Sequence, residues 1–173
     1  MMRLMVILLL AWLLSACSLS LESKEPKSSI YYLEPEVSTY SDTQDAHIFV
    51  QSVVVAPGLD SKRIALRVRP NRQNYYAVGN WPELLSEYLN FQITKDLSFS
   101  RITNSVAVIS RPNIRNYKLQ IRVLDFQSEY DGNTDSIPDI VIRLEAALVR
   151  SHDQEVLVHQ WYEQRSRVDE NRM

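Results

Sequence analysis

The stretch Asn80-Trp81-Pro82-Glu83-Leu84-Leu85-Ser86-Glu87-Tyr88-Leu89-Asn90-Phe91-Gln92-Ile93-Thr94-Lys95-Asp96-Leu97-Ser98 decides the fold. Leu85, Leu89, Ile93 and Leu97 recur every four residues, with Leu84, Tyr88 and Phe91 beside them. That spacing makes one broad apolar stripe on a helix. Asn80 or Trp81 is expected at the cap. Pro82 suits the first turn, where an N–H has no partner anyway, and Glu83 lies at the positive end of the dipole. The helix is expected to end between Asp96 and Ser98.

Outward from it, the pattern is strand. Upstream, Tyr31-Tyr32-Leu33 reads as a short edge strand stopped by Pro35, because a proline cannot donate to a ladder. The β-branched run 48–55, Ile-Phe-Val-Gln-Ser-Val-Val-Val, reads as one strand covered on both faces and ended by Pro57-Gly58. Ile64, Leu66 and Val68 alternate with Ala65, Arg67 and Arg69, the mark of a half-buried strand. Tyr75-Tyr76-Ala77-Val78 is its expected hairpin partner across the turn 70–74. Downstream, 102–109 reads as a short strand broken at Asn104-Ser105. In 118–126, Leu119, Ile121 and Val123 alternate with Lys118, Gln120 and Arg122, and the phase shifts at Leu124-Asp125, as a bulge requires. Asp131-Gly132 signals a hairpin. Ile140, Ile142, Leu144, Ala146 and Leu148 form the apolar face of a long strand, His152-Asp153-Gln154 turns the chain, and 155–167 is the last strand. The order β-β-β-α-β-β-β-β places the chain in the α+β class. The expected architecture is an antiparallel sheet with the one helix packed on one face, in two layers.

The N-terminus carries a different message. Arg3 precedes 11 apolar residues, 4–14, about half of what a helix needs to cross a bilayer. This fits the h-region of a signal peptide over residues 1–16. Leu14-Ser15-Ala16-Cys17 follows and resembles the lipobox of bacterial lipoproteins. Small residues admit the chain to the peptidase groove, and the Cys17 thiol is the atom that receives diacylglycerol. Cys17 is the single cysteine of 173 residues, so no internal disulfide is available. Each buried acyl CH₂ contributes about 0.8 kcal/mol, so several chains on one residue make a lasting anchor. The rival reading is an ordinary signal peptide or short anchor with Cys17 incidental. Ser18 and Leu19 stand where lipoproteins held at the inner membrane tend to carry Asp, which points to the periplasmic face of the outer membrane. Residues 17–29 are polar and aperiodic, a lipidated tether. Residues 30–173 are expected to form a single periplasmic domain.

Without residues 1–16 the formal charge is −3, too mild and of the wrong sign for nucleic acid, which is bound by neutralising phosphates. His47, His152 and His159 lack metal-ligand spacing. Asp131, Asn133, Asp135 and Asp139 superficially suggest a calcium loop, but Ser136 and Ile142 stand where the loop needs Gly and Glu. A solvated turn is the plainer reading. With three glycines and no Gly-x-Ser-x-Gly, neither a phosphate loop nor a nucleophile elbow is available. Lys62, Arg63, Arg67, Arg69 and Arg72 are either a solvated strand face or a contact for an acidic partner. No catalytic residue, metal or cofactor emerges. The expectation is a binding module and not an enzyme.

Several segments together resemble the auxiliary lipoproteins of ABC-type lipid transport systems, the group that includes paraquat-inducible protein C. They are the lipobox; Tyr31-Tyr32-Leu33 after a polar tether; the run 48–55 leading into Ala56-Pro57-Gly58-Leu59-Asp60; Tyr75-Tyr76-Ala77-Val78 before Asn80-Trp81-Pro82-Glu83-Leu84-Leu85; and 119–126 with Tyr130-Asp131-Gly132. The resemblance implies a non-catalytic lipoprotein held in the outer membrane by Cys17. Its partner would be a mammalian-cell-entry (MCE) domain protein that carries lipid between membranes. Docking is expected through strand edges and through Pro57, Leu59, Tyr75, Tyr76 and Trp81. A lipoprotein aiding assembly of an outer-membrane protein or envelope complex is the alternative. Members of the group continue past the last strand into a C-terminal helix. This sequence ends at Met173, which leaves three possibilities: an uncovered sheet face, one covered by a partner, or a truncated sequence.

Overall fold

A computed structural model of the chain describes residues 27–107 and 116–168. The expected signal peptide and Cys17 lie outside the described residues. The elements are β1 (Ser29–Ile30), β2 (Gln44–Val50), β3 (Val54–Val55), β4 (Arg63–Val68), β5 (Arg72–Asn80), α1 (Leu85–Ser100), β6 (Thr103–Ala107), β7 (Asn116–Tyr130), β8 (Asp139–Arg150) and β9 (Val156–Arg167). This is an α+β fold with a single helix among the described residues, the class read from the sequence.

The sheet is mixed and not purely antiparallel. β7 is its spine. β8 pairs antiparallel along one edge of it. β2, β3 and β4 lie one after another along the other edge, all parallel to it, opposite Asn116, Arg122 and Ser128 in turn. The parallel pairing follows from the helix. β5 and then α1 carry the chain back along the sheet, so β6 and β7 run in the same direction as β2, β3 and β4. β6 accordingly joins β2 in parallel. Among the described residues only β4–β5, β7–β8 and β8–β9 are antiparallel.

Local departures have local causes. The run 48–55 is two strands, β2 and β3, and Val54 is exposed. The Gln51 amide still bonds Leu119 O at 3.0 Å, so the break follows the edge of β7. β4 is buried on both faces, not half-buried. Ile64 and Ala65 lie in the core under α1, and Leu66 and Val68 lie in a second cluster with Tyr130. Asn104-Ser105 does not break β6, because polar cross-strand pairs hold it: Ser105 Oγ with His47 Nδ1 at 2.7 Å, and Asn104 Nδ2 to Asp45 Oδ1 at 2.8 Å. The edge strand lies just before Tyr31, at Ser29–Ile30, where it pairs with Gly79 and Asn80 of β5. The bulge stands where the phase shift put it, between Val123 and Asp125.

α1 begins later and ends later than its pattern predicts. The Trp81 amide donates to Lys62 O at 2.6 Å, so the chain stays strand-like through residue 81. The first turn is capped from a distance: the Ser86 amide donates to Asp60 Oδ1 at 3.0 Å. At the far end Arg101 takes the left-handed conformation, with φ 57°. Leu85, Tyr88 and Leu89 pack with Val53, Leu59, Ile64, Trp81 and Val123. Trp81 stacks on Tyr88 with centroids 6.0 Å apart and meets Phe126 edge-on at 5.7 Å. Phe91, counted in the stripe, instead faces solvent.

Candidate docking surface

β9 pairs with β8 from Val156, opposite Val149, to Arg167, opposite Asp139. Among the described residues it has no second partner. All 12 of its residues are exposed. A strand this long presents about 40 Å of unpaired backbone edge. Proteins blunt such edges with Lys, Pro or bulges; here the register shifts once, at Leu157, where Val156 opposes Val149 and Val158 opposes Leu148. Residues 156–162, Val-Leu-Val-His-Gln-Trp-Tyr, contain no Lys, Arg, Asp, Glu or Pro. Charge begins only at Glu163.

Adjacent residues of a strand face opposite ways, so Trp161 (58% exposed) and Tyr162 (55%) put one aromatic ring on each face. On Tyr162's side, Leu144 opposes Tyr162 and Leu148 opposes Val158, two apolar pairs with Ala146 and Gln160 between them. α1 covers β2, β3 and β6 and stops short of these pairs. On the other face, His159 and Trp161 rings meet edge-on at 6.0 Å. Glu145 joins His159 at 2.7 Å and Arg122 at 3.2 Å.

The charged half of β9 is tied into the sheet. Asp125 and Glu129 of β7 are buried and ringed by arginines from β4 and the residue just after it, from β8 and from β9. Arg67 lies 3.0 Å from Asp125 and 3.3 Å from Glu129. Arg69 and Arg165 reach Glu129 at 3.0 and 2.9 Å, and Arg143 binds Asp125. Burial alone would raise the Glu129 carboxyl. The hydrogen bonds from Arg69, Arg165 and Gln127, with the charge of Arg165, outweigh it and hold the group at about 2. Of the basic stretch in the sequence, Arg67 and Arg69 therefore answer to the chain's own carboxylates. Lys62 pairs with Glu83 at 2.7 Å, and Arg63 lies over the Tyr75 ring.

The residues expected to bind a partner do come together, near the start of α1, but mostly to pack. Leu59 is 2% exposed and Trp81 9%, both in the core. The Tyr75 hydroxyl donates to Gly58 O at 2.7 Å, where Gly58 needs its φ of +85° to turn the chain. Tyr76 shares a 2.7 Å hydrogen bond with the Tyr130 hydroxyl. Pro57 alone of the five is exposed. The Asn133 side chain accepts the Asp135 amide at 3.1 Å, and Asp139 pairs with Arg165, so that acidic loop is a turn. Among the described residues no cluster of His, Cys, Asp or Glu is arranged to hold a metal. Sequence reasoning found β9 but not its exposure. Apolar residues at both parities read the same in a buried strand and a bare one.

A family model described as "ABC-type transport auxiliary lipoprotein component" matches residues 31–173, and the chain belongs to that family. The family is thus a lipoprotein component working with an ABC-type transport system. Among the described residues no helix is long and apolar enough to cross a membrane. A crystal structure of a Xanthomonas campestris protein assigned to DUF330 superposes with a TM-score of 0.72 at 26% identity, covering 83% of this chain and 80% of that one. A second crystal structure, of an uncharacterised protein, shares the fold at TM-score 0.64 and 16% identity, covering 83% and 82%. No curated protein matches the chain.

Proposed function

We propose that this member of the ABC-type transport auxiliary lipoprotein family is a non-catalytic docking component of an MCE-type intermembrane lipid transport system. In this reading Cys17 carries the lipid anchor, the outer membrane holds it, and the domain faces the periplasm. The observation that carries the proposal is the bare first half of β9. An unpaired strand recruits a partner by extending the sheet: backbone hydrogen bonds supply affinity, and side chains in flanking pockets supply specificity. Trp161 and Tyr162 are the aromatic anchors such an interface uses, one on each face. Leu59 and Trp81, near α1, are packed away from solvent and serve this function by holding the sheet.

The test is a pull-down of the full, acylated chain from gently solubilised envelopes, with mass spectrometry of proteins and lipids. The expected result is recovery of an MCE-domain protein, lost when Val158→Lys and Gln160→Lys place charge on the edge. Recovery of a β-barrel protein alone would favour the assembly reading instead. Undiminished recovery in the edge variants would remove β9 from the interface.

A further inference from the structure

The segment 31–40 lies beside α1 as an extended strap. It is held at three points: the Tyr31 amide donates to Asn80 O at 2.8 Å, the Leu33 amide to the Tyr88 hydroxyl at 2.6 Å, and the Tyr40 amide to Ser100 O at 2.9 Å. Between strap and helix run two hollows. One, of about 520 Å³, lies among Tyr32, Leu33, Tyr88 and Phe91. The other, of about 430 Å³, lies among Val37, Tyr40, Ile93 and Leu97. Tyr32 and Phe91 are each 65% exposed, which leaves two large rings in water at the mouth of an apolar groove.

The rim of this groove is acidic. Glu34, Glu83 and Glu87 edge the first hollow, and Glu36 and Asp96 the second; Lys95 is the one basic residue among their linings. Lys95 donates to Gln92 Oε1 at 3.0 Å, and Gln92 Nε2 donates to Asp96 at 3.0 Å, so both charged groups are engaged by Gln92 within the helix. Glu83 has Lys62. Among the described residues Glu34, Glu36 and Glu87 have no cationic partner.

We propose that this groove docks a cationic amphipathic segment of a partner protein. An apolar floor flanked by unpaired carboxylates complements a helix with Leu-like residues on one face and Lys or Arg on its borders. Anionic lipid would meet the same carboxylates with repulsion. The groove lies across the fold from the strand edge, and this proposal does not depend on that reading.

The test uses the full chain in nanodiscs of a zwitterionic phospholipid, with empty discs as the blank. The probe is a fluorescein-labelled Lys/Leu amphipathic peptide of about 14 residues, close to the length of α1. A Glu/Leu peptide of the same pattern is the control. The Lys/Leu peptide is expected to bind above the blank and to weaken as salt rises. Its affinity should fall about tenfold, the equivalent of about 1.4 kcal/mol, in the double variant Glu34→Lys with Glu87→Lys. It should also fall several-fold in Phe91→Ser. All three side chains lie at the surface, and circular dichroism checks that the variants fold. Equal binding of the Glu/Leu peptide, or unchanged affinity in both variants, would overturn the proposal. So would variants whose only effect is weaker attachment of the chain to zwitterionic vesicles, which would assign the groove to a lipid surface.

Discussion

Arg165 of β9 reaches across β8 to Glu129 of β7, closing a 2.9 Å ion pair between strands that are not neighbours. The contact stitches the charged half of β9 to the spine of the sheet. The uncharged half, 156–162, has no such tie to β7. One strand is thus fixed at its C-terminal half and bare at its N-terminal half. Replacing Arg165 with Ala removes one of three arginines on a buried carboxylate. A loss of stability is expected, limited because Arg67 and Arg69 still serve the carboxylate. Hydrogen exchange should quicken across β9 before the rest of the sheet responds, whereas uniform acceleration would mean that the pair does not pin β9 locally.

The same carboxylate sets an acid limit. Glu129 sits at about 2 against an ordinary 4.5, so the folded state holds it ionised more readily than the unfolded state does. A lowered folded value contributes stability that is complete above the unfolded value and is lost as pH falls from about 4.5 towards 2. Glu129→Gln should be less stable at neutral pH and should show a shallower loss over that window. Denaturant midpoints measured from pH 6 down to 2 check this, and parallel curves would count against it.

Asp60 caps α1 from the loop before β4. Asp60→Ala removes the acceptor of the Ser86 amide and should cost about 1 kcal/mol. The thermal midpoint and the far-ultraviolet helix signal should both fall, while Asp60→Asn should keep most of the stability.

Trp81 distinguishes packing from docking. It lies between Tyr88 and Phe126, so Trp81→Ala should cost about 3–5 kcal/mol through the cavity it leaves. Trp161→Ala, on exposed β9, should leave stability nearly unchanged and reduce partner recovery. The reverse pattern would return the interface to the start of the helix.

Tyr130 is buried and hydrogen-bonded to Tyr76. Burial first, and then Tyr76, push its hydroxyl well above the ordinary tyrosine range. An alkaline spectrophotometric titration should leave this tyrosine protonated after the exposed ones have ionised. Tyr130→Phe should cost about 1 kcal/mol.

The sequence by itself determined the helix α1, the bulge after Val123, the turn at Gly132 and most strands, because each of these follows from residues adjacent in the chain: a period, a phase change, a turn dipeptide. It also carried the family resemblance. Only the tertiary structure decided which strands meet. A strand's alternation is the same beside a parallel or an antiparallel neighbour, so nothing in 48–68 reveals that β2, β3 and β4 share one edge of β7. Arg67 and Arg69 are far in sequence from Arg143 and from Arg165, and each is ordinary by itself, yet the sheet register gathers them on Asp125 and Glu129. Trp81 looks like a surface aromatic beside a helix start until the Lys62 carbonyl holds its backbone in the strand and turns the ring inward. β9, as apolar as any core strand, is bare for the converse reason: exposure belongs to whatever packs against a strand, and that is decided by the rest of the chain.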